Sequence, residues 1–225
     1  TEHSFVDEID SKEILRAYDF AIPAGHVANS SKEALEIAER IGYPVALKIH
    51  SPDIERRSTH GGVRLNLATP EEVRDAFDLT VLRIKDRFPT ARLEGVYVEK
   101  MCPRGRDVVV GMTRDPHFGP MLMFGLGGIF IEVMEDVACH LAPITADEAR
   151  QMLRSTRSYD ILTGSGDQSV DLDAIATALQ RVSQLATDFP QIAELEINPL
   201  VVGTQATVPV VVGARMALRR TSEER

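Results

Sequence analysis

The pattern of apolar and polar residues along the chain predicts a mixture of helices and strands. Ser30, Thr69 and Thr145 are each followed three residues later by glutamate, and this capping-box pattern predicts three helix starts. Apolar residues at helical spacing follow the first two, and a longer apolar stripe runs from Leu172 to Ala186. Alternating or apolar runs predict strands at 45–50, 63–67, 94–101, 107–114, 121–125, 137–141, 194–200 and 208–212.

The order of these elements indicates the fold class. Most of the predicted strands neighbour other strands along the chain, and the helices stand between the groups. This order favours an α+β fold with mainly antiparallel sheets over a doubly wound sheet, in which strands and helices alternate regularly. A chain of 225 residues has room for one large domain or for two small lobes.

Composition narrows the class of protein. The net charge of −9 argues against nucleic acid as a main partner, because phosphate backbones recruit basic surfaces. No apolar run reaches the length of a membrane span and the N-terminal residues lack a signal-peptide pattern, so we expect no membrane partner. The two cysteines, Cys102 and Cys139, lack metal-type spacing and are expected to be thiols in a reducing cytoplasm.

The stretch 194–200 carries a candidate metal site. Strand side chains alternate between faces, so Glu194, Glu196 and Asn198 share one face and an apolar pair shares the other. Carboxylate and amide oxygens are the donors that Mg²⁺ accepts. Pro199 cannot donate to a sheet ladder, which predicts that the strand ends after Asn198. The alternative is a surface strand that simply has a polar face.

Two stretches near residue 50 are suited to phosphate. Lys48 lies in an otherwise apolar strand, where its ammonium can point into a cleft and meet phosphate oxygens. The alternative, an edge lysine whose amine reaches water, is equally compatible with the pattern. Gly61 and Gly62 allow backbone N–H groups to approach an anion, although a plain hairpin turn has the same composition.

Two further segments could meet the rest of a nucleotide. The strand that contains Glu99 runs into Pro103, and the unpaired backbone groups at such a strand end can pair with an adenine edge. Asp107 could accept hydrogen bonds from ribose hydroxyls, or it could be a solvated acid at a strand end. The glycine-rich segment 125–128, followed by Glu132 and Asp136, matches neither a dinucleotide fingerprint nor a Walker loop, but it could shape a phosphate path.

In combination and in this order, the stretches resemble the ATP-grasp superfamily. The resemblance is closer still to the ATP-grasp domain of NDP-forming acyl-CoA synthetases, the β subunit or β-like half related to succinyl-CoA synthetase. It covers roughly residues 11 to 218. The stretches that carry it are Ile41–Lys48, Ser51–Ile54, Gly61–Leu65, Val110–Pro120, Gly125–Glu132 and Glu196–Leu200.

The resemblance implies a single ATP-grasp domain over residues 1–225, with two α+β lobes that clasp a nucleotide. One lobe would contain residues 11–45 and 100–218, and the smaller lobe would contain residues 46–99. ATP or ADP would be the nucleotide, and Mg²⁺ would be bound by Glu196 and Asn198. The residues implied to bind the nucleotide are Lys48, Ser58, Gly61, Gly62, Val63, Arg64, Glu99, Lys100, Met101 and Asp107.

The implied function is that of an acid–thiol ligase subunit that converts acyl-CoA, ADP and phosphate to acid, CoA and ATP. A CoA-binding α subunit or domain, carrying the histidine that is phosphorylated, would complete the enzyme in a hetero-oligomer. Three departures from the family pattern leave open an alternative, a catalytically degenerate module for nucleotide sensing or scaffolding, for example beside a protein acetyltransferase. Arg56, Arg57 and Thr59 replace the usual His-Lys pair and acid, and Gly213 replaces an aspartate of the metal site.

Overall fold

The computed structural model of the chain describes residues 3–54, 60–127, 136–164, 169–204 and 207–219. In chain order its elements are β1 (His3–Val6), α1 (Glu8–Ala17), β2 (Gly25–Ala28), α2 (Ser31–Ile41), β3 (Val45–His50), β4 (Val63–Leu67), α3 (Pro70–Arg87), β5 (Gly95–Lys100), β6 (Arg106–Asp115), β7 (Gly119–Leu126), β8 (Val137–Leu141), α4 (Ala146–Arg154), α5 (Tyr159–Thr163), α6 (Leu172–Asp188), β9 (Ile192–Val202), β10 (Val210–Val211) and β11 (Ala214–Arg219).

The chain divides into two compact units. The larger unit consists of Thr1–Ile22 and Pro103–Arg225, and the smaller unit is the continuous segment Pro23–Cys102. Each unit combines an antiparallel sheet with helices and has a hydrophobic core of its own, which is the predicted α+β class.

The larger unit is built on a seven-stranded sheet of order β1-β11-β9-β6-β7-β8, with β10 paired to β9. Its core forms between one face of this sheet and the helices, where the apolar stripe of α6 supplies Ile175, Leu179 and Val182. Val110 and Ile197 face this core from the two central strands β6 and β9. Side chains that alternate with them therefore point to the opposite side of the sheet.

The smaller unit contains a four-stranded sheet of order β2-β5-β3-β4. Helices α2 and α3 supply the rest of its core, into which β3 and β5 point Leu47, Val96 and Val98. Helix α3 begins with the predicted capping box, in which Thr69 and Glu72 each accept a backbone N–H of the other. The capping box of Thr145 and Glu148 likewise starts α4.

Three boundaries differ from the sequence-based expectation. Helix α2 and strand β2 lie in the smaller unit, not with residues 100–218, because β2 pairs with β5. Ser11 is a favourable cap and predicts a short helix from Lys12 to Tyr18, but α1 begins at Glu8 because Asp7 accepts the first-turn N–H of Asp10. Strand β9 continues through Pro199 to Val202, since the residues after the proline still pair with β6 and β10.

Candidate functional site

The side of the larger sheet opposite α6 carries the predicted metal and ribose residues. We call it the distal face of the larger sheet and define it by Asp107 and Gly111 on β6, Glu194 and Glu196 on β9, and Arg215 on β11. Glu196 is the cross-strand partner of both Gly111 and Arg215. Strand alternation predicts that Glu194 and Glu196 share one side, and the pairing of β6 with β9 brings Asp107 to that side as well.

Glu196 and Asn198 lie next to each other on this face. The Asn198 amide donates through Nδ2 to Glu196 Oε1 over 2.9 Å, which aligns the two side chains. Among the described residues, no group of three or more His, Cys, Asp or Glu side chains is placed to hold a metal ion. Two oxygen donors nevertheless suit Mg²⁺, which is commonly bound by one or two protein ligands together with substrate phosphates and water.

Gly213 lies against Asn198, where the resemblance places the missing aspartate. Its carbonyl accepts the Asn198 N–H over 2.9 Å. A Cβ atom at position 213 would lie 3.0 Å from the Asn198 carbonyl carbon and closer still to its oxygen. Glycine thus allows the two backbones to approach, and an aspartate at this position requires the Asn198–Pro199 segment to move.

Asp107 is at the other end of this face, opposite Val201 of β9. The Gly127 N–H donates to the Asp107 carbonyl over 2.8 Å, and a Cβ at Gly127 would lie 2.9 Å from that of Asp107. Partial burial raises the pKa of the Asp107 carboxyl above its ordinary value. The close approach of Gly127 explains one glycine of the 125–128 segment, whereas Gly128 and Glu132 lie outside the described residues.

In the smaller unit, Lys48 and Glu99 form a buried ion pair. Lys48 Nζ lies 2.7 Å from Glu99 Oε2, and the residues are 7% and 1% exposed. Both project from the side of the smaller sheet opposite α2 and α3, which we call the distal face of the smaller sheet. Tyr97, the cross-strand partner of Lys48, lies on the same face and is also buried. Sequence reasoning missed Tyr97, although its spacing of two from Glu99 was a usable signal.

The glycine-rich turn contributes to this face only in part. Val63 is the cross-strand partner of Lys48, whereas Arg64 is opposite Leu47 and therefore lies on the helix-covered side. Gly61 has a φ of 73°, a conformation that favours glycine, and the Gly62 carbonyl accepts the Ile49 N–H. Ser58, Arg56, Arg57 and Thr59 lie outside the described residues.

Lys100 and Met101 have structural partners within the smaller unit. The Lys100 ammonium donates to the carbonyls of Gly42 and Tyr43 over 2.9 and 2.6 Å, just after α2 ends. Because Lys100 is the cross-strand partner of Val45, it projects to the side opposite Glu99. The Met101 N–H donates to the Pro44 carbonyl over 3.1 Å, so it is already used within the sheet.

A cavity of the larger unit contains none of the residues that define its distal face. It has a volume of about 430 Å³ and borders α4, α5 and the start of α6. Arg150 in its wall already pairs with Asp147 and Asp173. Nothing in this cavity matches the residues predicted to bind nucleotide or metal.

Comparison with known proteins points to one family. A family model described as ATP-grasp domain matches residues 1–218. The chain is 42% identical over 212 residues to the acetate–CoA ligase [ADP-forming] I subunit beta of Pyrococcus furiosus, which covers 94% of this chain and 90% of the relative. Among the described residues, every helix is too short or too polar to cross a bilayer.

Solved structures of a related enzyme have the same fold. Dinucleotide forming acetyl-coenzyme A synthetase 1 of Ca. Korarchaeum cryptofilum, in complex with coenzyme A and Ca-AMPCP, superposes with a TM-score of 0.91 at 36% identity over 96% of this chain and 93% of the other. A second structure of that enzyme contains Mg-AMPPCP, with its phosphohistidine segment pointing towards the nucleotide binding site. It superposes with a TM-score of 0.82 at 33% identity over 96% and 93% of the two chains.

Proposed function

The chain belongs to the ATP-grasp domain family, and we propose that it is the nucleotide-binding β subunit of an ADP-forming acyl-CoA ligase. The complete enzyme would convert acyl-CoA, ADP and phosphate to the acid, CoA and ATP, and would also run in reverse. The observation that carries the proposal is the 42% identity to an acetate–CoA ligase β subunit, which extends over nine-tenths of both chains.

We assign the nucleotide contacts to residues of the two distal faces. Lys48 would contact the phosphates, with its ammonium held in place by the Glu99 carboxylate. The Gly61–Gly62 turn would supply backbone contacts to the same phosphates, and Asp107 would accept hydrogen bonds from the ribose. Lys100 and Met101 are left out of this set because the Lys100 ammonium and the Met101 N–H already donate to carbonyls of the smaller unit. Arg64 is left out because it lies on the helix-covered side of the smaller sheet.

Glu196 and Asn198 would hold Mg²⁺ together with the phosphates. When bound, the ion would neutralise phosphate charge and orient the chain of phosphates for transfer. The amide hydrogen bond between the two side chains keeps their oxygens on one side of β9. The Gly213 backbone supports Asn198 but adds no carboxylate, so we expect a weaker metal site than one with three ligands.

The chain would work with a partner that binds CoA and carries the phosphorylated histidine. This proposal is supported by the β-subunit relative and by the phosphohistidine segment of the Korarchaeum enzyme. The functional protein would then be a hetero-oligomer. We also propose a cytoplasmic location, which suits a sequence with only two cysteines.

Calorimetry with the full chain tests the nucleotide-binding step. We expect ADP and AMPPCP to bind in the presence of MgCl₂ and to bind more weakly when EDTA removes the metal. Lys48→Met should lower the affinity for both nucleotides by about tenfold or more, since it removes a charge-assisted contact to phosphate. Lys85→Met, a change at an exposed lysine of α3, is the matched control and should leave both affinities unchanged.

Reconstitution with the CoA-binding partner tests the activity. ATP formation from acyl-CoA, ADP and phosphate supports the enzyme. Tight nucleotide binding without turnover in the reconstituted complex supports instead a degenerate module that senses nucleotide or serves as a scaffold. Absence of nucleotide binding, with and without Mg²⁺, would overturn both.

A further inference from the structure

Arg215 is a cation on the distal face of the larger sheet to which the proposed function has so far given no role. It is the cross-strand partner of Glu196, yet its guanidinium rests over the Phe5 ring, 4.4 Å from the centroid. Among the described residues, the Arg215 guanidinium has no hydrogen bond or ion pair. An exposed arginine held beside an acid without pairing to it is available for an anionic ligand.

A small concavity in the sheet surface lies next to this guanidinium. It has a volume of about 90 Å³, and its wall includes Glu196, Arg215, Thr113 and Met123. Gly111 adjoins this wall, since a Cβ there would lie 3.2 Å from the Met123 methyl group and from the Leu195 carbonyl oxygen, and both of these residues line the concavity. The concavity is of a size to accept one small group rather than a whole ligand.

The order of groups along β9 indicates which part of a nucleotide reaches this hollow. Asp107, the proposed ribose contact, is opposite Val201. Asn198, the proposed metal ligand, comes three residues before Val201 along β9. Glu196 comes two residues before Asn198, and Arg215 of β11 is its cross-strand partner. Because strand residues advance about 3.3 Å each, a nucleotide whose ribose lies at Asp107 extends its phosphates along the strand towards Arg215.

We propose that Arg215 binds the terminal phosphoryl group, the γ-phosphate of ATP, and so distinguishes ATP from ADP. The inference rests on the proposed function, because it needs a nucleotide on this face. The planar guanidinium can donate two parallel hydrogen bonds to phosphate oxygens. Its positive charge offsets the repulsion that Glu194 and Glu196 would exert on the phosphate, at a site where Gly213 contributes no further acid. The Phe5 ring holds the guanidinium in place by a cation–π contact.

The test compares the affinities of AMPPCP and ADP, each with MgCl₂, for the full chain and its variants. Arg215→Met should lower the affinity for AMPPCP by about tenfold and change the affinity for ADP little, because only the triphosphate reaches the guanidinium. Arg215→Lys should be intermediate, since it keeps the charge and loses the two-pronged geometry. Phe5→Leu should lower the affinity for AMPPCP by a smaller factor, about two to three, because it removes a cation–π contact at an exposed site.

Arg181→Met is the matched control, because Arg181 also lies over an aromatic ring, that of Phe20, but belongs to α6 on the other side of the sheet. It should leave both affinities unchanged. If Arg215→Met lowers the affinities for AMPPCP and ADP by the same factor, or changes neither, the proposed role of Arg215 is overturned. Nucleotide binding by the wild-type chain would still leave the proposed function intact. Failure of the wild-type chain to bind either nucleotide overturns the proposed function as well.

Discussion

Lys48 and Glu99 form a buried ion pair that we expect to serve both the fold and the ligand. Removing one partner of such a pair leaves a charge in a poorly solvated place, whereas replacing both by apolar residues is often neutral. Glu99→Ala should therefore lower the free energy of unfolding by about 3 kcal/mol. The double variant Lys48→Met/Glu99→Met should regain most of that loss and still fail to bind Mg-ADP. Urea unfolding and calorimetry measure the two effects.

The single variant Glu99→Gln separates two roles of the carboxylate. If Glu99 acts by positioning the Lys48 ammonium, the change lowers the affinities for ADP and for tripolyphosphate, which lacks adenine, by the same factor. A loss confined to ADP would instead mean that Glu99 contacts the adenine, as the family resemblance implies. The sequence could not predict this pair, since it depends on how β3 and β5 are aligned, and residues 48 and 99 are far apart along the chain.

The starts of two helices could be predicted from neighbouring residues alone. Thr69 and Thr145 start α3 and α4 because each capping box satisfies backbone N–H groups within four residues. The start of α1 was missed because Asp7 and Ser11 are both acceptable caps and only one is used. Strand β2 was missed for a different reason, as its four residues are held by pairing with β5 and have no strong pattern of their own.

Lys100 links strand β5 to the end of helix α2. We therefore expect its substitution to lower the stability of the chain rather than its affinity for nucleotide. Lys100→Met removes two charge-assisted hydrogen bonds to the carbonyls of Gly42 and Tyr43. We expect the free energy of unfolding to fall by about 2 kcal/mol, with nucleotide affinity of the folded chain unchanged. Chemical unfolding and calorimetry check both parts, with Lys85→Met as the control. A selective loss of nucleotide affinity at normal stability would restore Lys100 to the site.

The whole chain forms two units, and only part of that division was readable from the sequence. The α+β class and the ATP-grasp resemblance both predict two lobes, but the border near residue 45 was misplaced by about two elements. The border depends on sheet pairing between residues 25–28 and 96–99, which no local pattern reveals. The distal-face residues were predicted more accurately on β9, because strand alternation alone assigns Glu196 and Asn198 to one side.

Arg114 allows the two cores to be compared within one chain. It donates to the carbonyls of Ala186, Phe189 and Ile192, where α6 ends and β9 begins, and so plays in the larger unit the part that Lys100 plays in the smaller one. Each unit has its own core, and a change in one core should open that unit first. Lys100→Met should therefore speed amide exchange in β3 and β5 by about thirtyfold while β6 and β9 keep wild-type rates. Arg114→Met should do the reverse. Hydrogen exchange measured by mass spectrometry resolves the strands, and equal acceleration of both sheets by either variant would mean that the chain opens as one cooperative unit.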